Sequence, residues 1–264
     1  MRLTLSFMRR YFNFSTYYTF EFYTGILAEI IMLTVIYSLW SALYAQGGLD
    51  PDITRQQLIA YAVIGMVFTR FVMFGGCHFY ISDKIHTGRI DSDIVRPVNF
   101  QWYMFIRDLA EKGNLLIFRL LPISLLFLVI SGTWISLSFE RLLIFLLSVT
   151  LAYIILFAIN YLFGMLAFVT LNIQNVQFAF GALIGFLAGQ IVPLWMFPEN
   201  VRYVVYLLPF RSIFDVPMSI YIGNLTGREL LHAVILQVIW AVTLLFIGQL
   251  CWRIVRKHII SQGG

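Results

Sequence analysis

Charge is what this sequence has least of: Asp, Glu, Lys and Arg make up 12% of its 264 residues, against 60% hydrophobic residues. A soluble domain carries roughly a quarter charged residues, so a water-facing surface is excluded. Cysteine is nearly missing too. Cys77 and Cys251 both fall near the face assigned below to the cytoplasm, where thiols stay reduced, so neither a disulfide nor a metal site is expected. His-Glu-x-x-His, Gly-x-Ser-x-Gly and Gly-x-x-x-x-Gly-Lys-Ser/Thr do not occur, so zinc proteolysis, serine hydrolysis and a P-loop all lack their usual residues. The net charge of +5 does not signify nucleic acid. Lys and Arg sit at the edges of apolar segments, as attraction to anionic lipid headgroups requires.

What is there is hydrophobic length. Crossing a bilayer takes about 20 apolar residues, so the chain holds six or seven crossings and no separate soluble domain. The expected fold is therefore all-α and integral to the membrane, one domain over residues 1–264. Residues 1–20 put Arg2, Ser6, Arg9, Arg10 and Asn13 on one helical face, with Leu5, Met8, Tyr11 and Phe12 on another. That pattern predicts a helix lying in the headgroup plane; an ordinary basic flank is the alternative. The following apolar run has no small-residue cleavage site, which argues against a removable signal peptide. Six spans are expected at about 22–44, 58–80, 102–130, 142–169, 177–194 and 230–252, with Pro122 bending the third. Between the fifth and last, Pro198, Pro209 and Pro217 interrupt apolar runs too short to cross, which predicts short re-entrant helices.

Lys and Arg favour the cytoplasmic side of short loops. With six spans, Arg2, Arg9, Arg10, Lys84, Arg89, Arg96, Arg107, Lys112, Arg253, Arg256 and Lys257 share one side, leaving Arg55, Arg141, Arg202, Arg211 and Arg228 on the other. Both termini and the loop around Arg89 are thus expected in the cytoplasm and the proline-rich stretch outside.

Chemistry-bearing residues are few. Asp91-Ser92-Asp93 has the form of a metal-binding pair in a glycosyltransferase, but a lone Asp-x-Asp fits a solvated loop better. His78 and His232 lie near opposite ends of their spans, as packing or interfacial residues. Glu29, Arg70 and Arg119 fall at similar depths in the first three spans, where an isolated charge costs several kcal/mol. They are expected to form one layer, either as a salt bridge fixing helix packing or as the polar lining of a path.

The loop Ile85-His86-Thr87-Gly88-Arg89-Ile90-Asp91-Ser92-Asp93-Ile94-Val95-Arg96-Pro97-Val98 resembles that of ABC-2 type permeases, the membrane subunits of ATP-binding-cassette exporters. Gly88, Ile90-Asp91, Ile94-Val95 and Pro97-Val98 match the family's coupling helix, and Arg96 before Pro97 looks like a bacterial drug-export subfamily. Ile191-Val192-Pro193-Leu194, Phe197-Pro198, Leu207-Leu208-Pro209-Phe210, Pro217 and Ile222-Gly223 resemble the family's fifth span and its re-entrant external helices.

The resemblance implies a non-catalytic subunit of a bacterial cell-membrane exporter. It implies two ATPase copies as partners, which use ATP and Mg²⁺, a second permease, identical or similar, and no cofactor on this chain. Gly88, Arg89, Ile90, Asp91, Ile94, Val95, Arg96 and Pro97 would couple to the ATPase. Ile90, Ile94 and Val95 are expected to supply its apolar contacts, with Arg89, Asp91 and Asp93 at a polar rim. Pro193, Leu207, Leu208, Pro209 and Phe210 would form an outer gate. Phe178, Phe180 and Phe186 are candidates for the path of an amphipathic drug, lipid-like molecule or peptide, a core role being equally open.

Overall fold

A computed structural model describes residues 19–46, 55–73, 76–132, 138–170, 174–190, 193–194 and 197–262. Nearly all of the expected interfacial helix at 1–20 therefore lies outside the described residues. The described chain is helical: α1 (Thr19–Ala45), α2 (Arg55–Met73), α3 (Cys77–His86), α4 (Asp91–Ile94), α5 (Phe100–Leu115), α6 (Leu121–Ser131), α7 (Phe139–Leu166), α8 (Gln174–Leu187), α9 (Glu199–Leu207), α10 (Asp215–Ile222) and α11 (Gly227–Gln262). Four helical stretches among the described residues are long and apolar enough to cross a membrane: Tyr23–Ala45, Phe100–Ile130, Phe139–Leu166 and Gly227–Lys257.

The second expected span is not one helix. The chain breaks between Met73 and Cys77, where Gly76 adopts φ 144° and ψ 155°, a conformation open essentially to glycine alone. A Cβ at Gly76 would also meet the His78 ring at 2.8 Å and the Asn160 amide at 2.9 Å. The fifth expected span is shorter than 177–194: α8 covers 14 residues, about 21 Å at 1.5 Å per residue, against a hydrocarbon core of about 30 Å. Pro193 stands where further helix would have needed a backbone donor.

The third span contains the bend expected at Pro122, in a specific form. Leu116–Leu120 is a π-helical segment joining α5 to α6, and the Leu121 amide donates to the Leu116 carbonyl five residues back. Pro122 has no amide to offer Phe118, so the ordinary ladder cannot run through this point, and the wider turn absorbs the mismatch.

At the centre stands α7. It is capped by Ser138, whose side chain accepts from the Arg141 amide, and from Ala152 to Met165 it is buried almost all round. Such a helix is a core element rather than an amphipathic one. It packs against α11, α3 and α10, and every residue of α10 is buried. By contrast, α1 is apolar on all faces and only 11% of its most hydrophobic window is buried. Thr34 and Ser38 there donate to the carbonyls four residues back, each at 2.8 Å, which satisfies their hydroxyls on a helix meant for an apolar surrounding.

Candidate functional site

The loop from Gly88 to Val98 is a rigid knob with a buried root and an exposed crown. Gly88 ends α3 at φ 62°. The Gly88 amide bonds the Ile85 carbonyl (3.1 Å) and the Arg89 amide the Lys84 carbonyl (2.8 Å), the reciprocal pair of a Schellman cap. Nothing lies within 4 Å of where a Gly88 Cβ would be, so glycine is needed there for backbone conformation alone. Asp93 is the root. It is 3% exposed and accepts from Tyr80 Oη (2.7 Å) and Tyr103 Oη (3.1 Å), with Arg96 Nε at 3.3 Å. Arg107 lies 3.3 Å over the Tyr80 ring and Arg96 4.8 Å over that of Tyr103. A short helix lacking a side-chain cap is thereby fixed to both α3 and α5.

This arrangement corrects the expected division of labour. Ile90 is buried and Ile94 partly so, both in the cluster containing Cys77, Phe100, Met104 and Trp252. A four-residue helix lying on a bundle turns one side inward, and that side carries these two isoleucines and Asp93. The exposed apolar residues are Val95 and Val98, at 81% and 50%, beside exposed Arg89, Asp91, Arg96 and Pro97. Asp91 and Asp93 thus face different surroundings. Among the described residues there is no group of three or more His, Cys, Asp or Glu suited to a metal.

The knob continues into a buried polar cluster that the sequence reading passed over. Lys112 Nζ lies 3.5 Å from Asp108 Oδ2, with side-chain exposures of 3% and 5%, and Tyr153 Oη donates to the same oxygen at 2.8 Å. The available signal was an Asp and a Lys at i and i+4 in α5, the spacing of a facing ion pair, which Arg107 and Glu111 repeat beside it. Lys112 is expected from the sequence only as one of the cations of the cytoplasmic side, where a charge needs no partner.

Glu29, Arg70 and Arg119 are brought together. Glu29 is 3% exposed, and its Oε1 lies 3.3 Å from Arg70 Nε and 3.5 Å from Arg119 Nη2. Arg70 occupies the last turn of α2, where a positive charge suits the helix dipole. Arg119 reaches Glu29 from the π segment, its guanidinium lying against Gly25, one turn before Glu29; a side chain at that glycine would collide with it. Arg70 also borders a cavity of about 500 Å³ between α1 and α2, floored by Met32, Trp40, Tyr61 and Phe214.

A second polar layer lies towards the other end of α7. Gln237 is fully buried. Its amide donates to the carbonyls of Ser212 (2.8 Å) and Ser148 (3.3 Å) and accepts from Ser148 Oγ (2.9 Å). Trp240 Nε1 donates to the Leu207 carbonyl at 3.2 Å. Arg211 Nε lies 2.9 Å from Asp215 Oδ2 and its guanidinium 3.6 Å over the Tyr206 ring. Burial pushes the Asp215 carboxyl up from its ordinary range, and Arg211 opposes that shift. Of the residues assigned to an outer gate, Pro193 and Pro209 are buried, Leu208 and Phe210 partly so, and Leu207 is exposed at 55%. Phe210 packs on the central core.

The three phenylalanines of α8 separate. Phe180 stacks on Phe163, centroids 4.0 Å apart and 8° from parallel. Phe186 sits 5.1 Å from Phe197. Phe178 is 79% exposed and, with Phe180, lines a cavity of about 480 Å³ between α3, α7 and α8.

The described chain is thus an all-helical bundle with four stretches fit to cross a membrane, an exposed knob braced from within, and charge kept in internally paired layers. A family model described as ABC-2 family transporter protein matches residues 30–263, and the chain belongs to that family. It is thus a permease of an ATP-binding-cassette transporter, a membrane subunit of a kind that is generally non-catalytic and associates with an ATPase partner. No curated protein matches the chain.

Proposed function

We propose that this chain forms half of the translocation path of an exporter, with the knob from Gly88 to Val98 seated on a separate ATPase. The observation that carries this reading is the asymmetry of the knob: Asp93, Ile90 and Ile94 fasten it to the bundle while Val95, Pro97 and Val98 face outward. A structure that passes on a push needs a stiff root and an exposed contact. Hydrophobic centres rimmed by charge are what protein interfaces use, and Arg89, Asp91 and Arg96 supply such a rim.

The chain crosses a bacterial cell membrane six times with both termini in the cytoplasm, α2 and α8 crossing alongside the four longer stretches, the short α8 where the bilayer thins to meet it. It pairs with a second permease, and the pair rests on two ATPase copies that hold ATP and Mg²⁺. The weakly buried α1 supports a surface completed by lipid or that second subunit. Export of an amphipathic molecule by alternating access follows from the same reading, with Pro193 and Leu207–Phe210 closing the outer mouth. A glycosyltransferase built on Asp91 and Asp93 is disfavoured because Asp93 is already held by two tyrosines and Arg96.

The test is a reconstituted complex of this permease with its ATPase. Val95→Asp and Val98→Asp together should abolish cargo-stimulated ATP hydrolysis and transport, while the isolated permease keeps its unfolding temperature. Undiminished transport by the double variant would remove the knob from the coupling role.

A further inference from the structure

The cavity between α3, α7 and α8 has the makings of a ligand site. At about 480 Å³ it lies within the range of small-molecule pockets, roughly 300–1,000 Å³. Its walls are mostly apolar, with Phe79, Phe178 and Phe180 among them, and three amide or imidazole groups converge on it: His78, Asn160 and Gln177. These are 5%, 4% and 3% exposed. His78 Nδ1 and Gln177 Nε2 have no hydrogen-bond partner among the described residues, and a buried polar atom left so is costly enough that natural proteins seldom tolerate it. Both residues line one cavity, and a molecule that enters it can bring partners to their polar groups.

The cavity walls also state what kind of molecule. None of the lining residues is charged, so an ionic head would lose its hydration without a counter-charge. The exposed rings of Phe79 and Phe178, at 39% and 79%, stand at the rim, while Phe180 inside is already stacked on Phe163. We infer that this cavity binds an uncharged amphiphile whose aromatic or apolar body lies against the phenylalanines while a hydroxyl, carbonyl or amide reaches His78, Asn160 and Gln177. The inference rests on the permease reading and names the class of cargo and where it docks.

Photolabelling of the full chain in phosphatidylcholine nanodiscs with 4-(hydroxymethyl)benzophenone tests it, adducts being mapped by mass spectrometry. Saturable adducts are expected on the segments around Phe79, Phe178 and Ile184. Gln177→Leu and Asn160→Leu should each raise the half-saturating concentration by about three- to tenfold, the worth of one hydrogen bond. Gly181→Trp provides a variant that removes no polar group. Gly181 lines the cavity and a Cβ there meets nothing within 4 Å, so the indole should fill the space, abolish saturable labelling and leave the unfolding temperature unchanged or raised. The trimethylammonium analogue of the probe should compete at least tenfold more weakly.

Adducts spread evenly over exposed helices, saturable labelling that survives Gly181→Trp, or equal competition by the cationic analogue would each overturn the proposal. The labelling requires no ATPase. Failure here while the Val95→Asp, Val98→Asp variant loses coupling sinks this site alone, and undiminished transport by that variant with intact labelling sinks the coupling reading alone.

Discussion

Replacing Glu29 by Gln keeps the shape of the side chain and removes the carboxylate that faces Arg70 and Arg119. Removing one partner of a buried ion pair costs about 3–5 kcal/mol, whereas exposed pairs are worth about 0–1 kcal/mol. Here the carboxylate is 4% exposed and the guanidiniums 30% and 24%, so neither cation is fully enclosed by protein. The expected loss for Glu29→Gln is therefore intermediate, about 2–3 kcal/mol. The triple variant Glu29→Gln, Arg70→Met, Arg119→Met leaves no unpaired charge and should lie within about 1 kcal/mol of the parent, since apolar replacement of a whole buried network is often neutral. Unfolding of the full chain in mixed micelles by increasing dodecyl sulfate, followed by tryptophan fluorescence, gives the four corners of each double-mutant cycle. Coupling between Glu29 and either arginine should reach about 1 kcal/mol or more. The reasoning fails if Glu29→Gln changes stability by less than about 0.5 kcal/mol, or if the single changes add within about 0.3–0.5 kcal/mol.

Three further outcomes follow from particular contacts. Gly88→Ala should cost about 1–2 kcal/mol, the penalty of a Cβ at left-handed φ, with no steric contribution because the space is open; chemical unfolding measures it, and a loss above about 4 kcal/mol would mean hidden packing. Asp93→Ala strips the acceptor from Tyr80 and Tyr103 and should destabilise by about 2–4 kcal/mol, while exposed Asp91→Ala stays within about 0.5 kcal/mol; equal effects would refute the separation of their roles. Gln237→Leu leaves the Ser148 and Ser212 carbonyls without their shared donor and should cost about 2–3 kcal/mol, with faster proteolysis of the Leu207–Ile213 stretch in a limited-digestion time course.

Much of the architecture was legible because hydrophobic length dominates in lipid. Four runs long enough to cross appear as helices near their expected bounds, and the short proline-interrupted pieces appear as α9 and α10. The misreadings came from residues whose effect is not additive along the chain. Hydropathy continues smoothly through Gly75 and Gly76, so nothing in a window average announces the break that separates α2 from α3. The knob was visible from Gly88 and Pro97, but which of its apolar residues face inward depends on where α5 and α11 lie, as the Phe100–Trp252 stack shows (4.2 Å). Asp108 and Lys112 stayed hidden because charge near a span end reads as a solvated flank.

The π segment has a consequence for how this chain tolerates changes in length. Eight residues separate buried Lys112 from buried Leu120, and at 3.6 residues per turn they would point about 80° apart. The wider turn at Leu116–Leu120 takes up that phase difference, so the inward stripes of α5 and α6 stay aligned across it. Deleting one residue there would bring the two positions to within about 20° of alignment at ordinary helix pitch, so α6 would keep its inward stripe without the wide turn, whereas adding one would turn α6 by about 100° against α1 and α2. A chain one residue shorter in this stretch therefore keeps the packing of α6, while one a residue longer loses it.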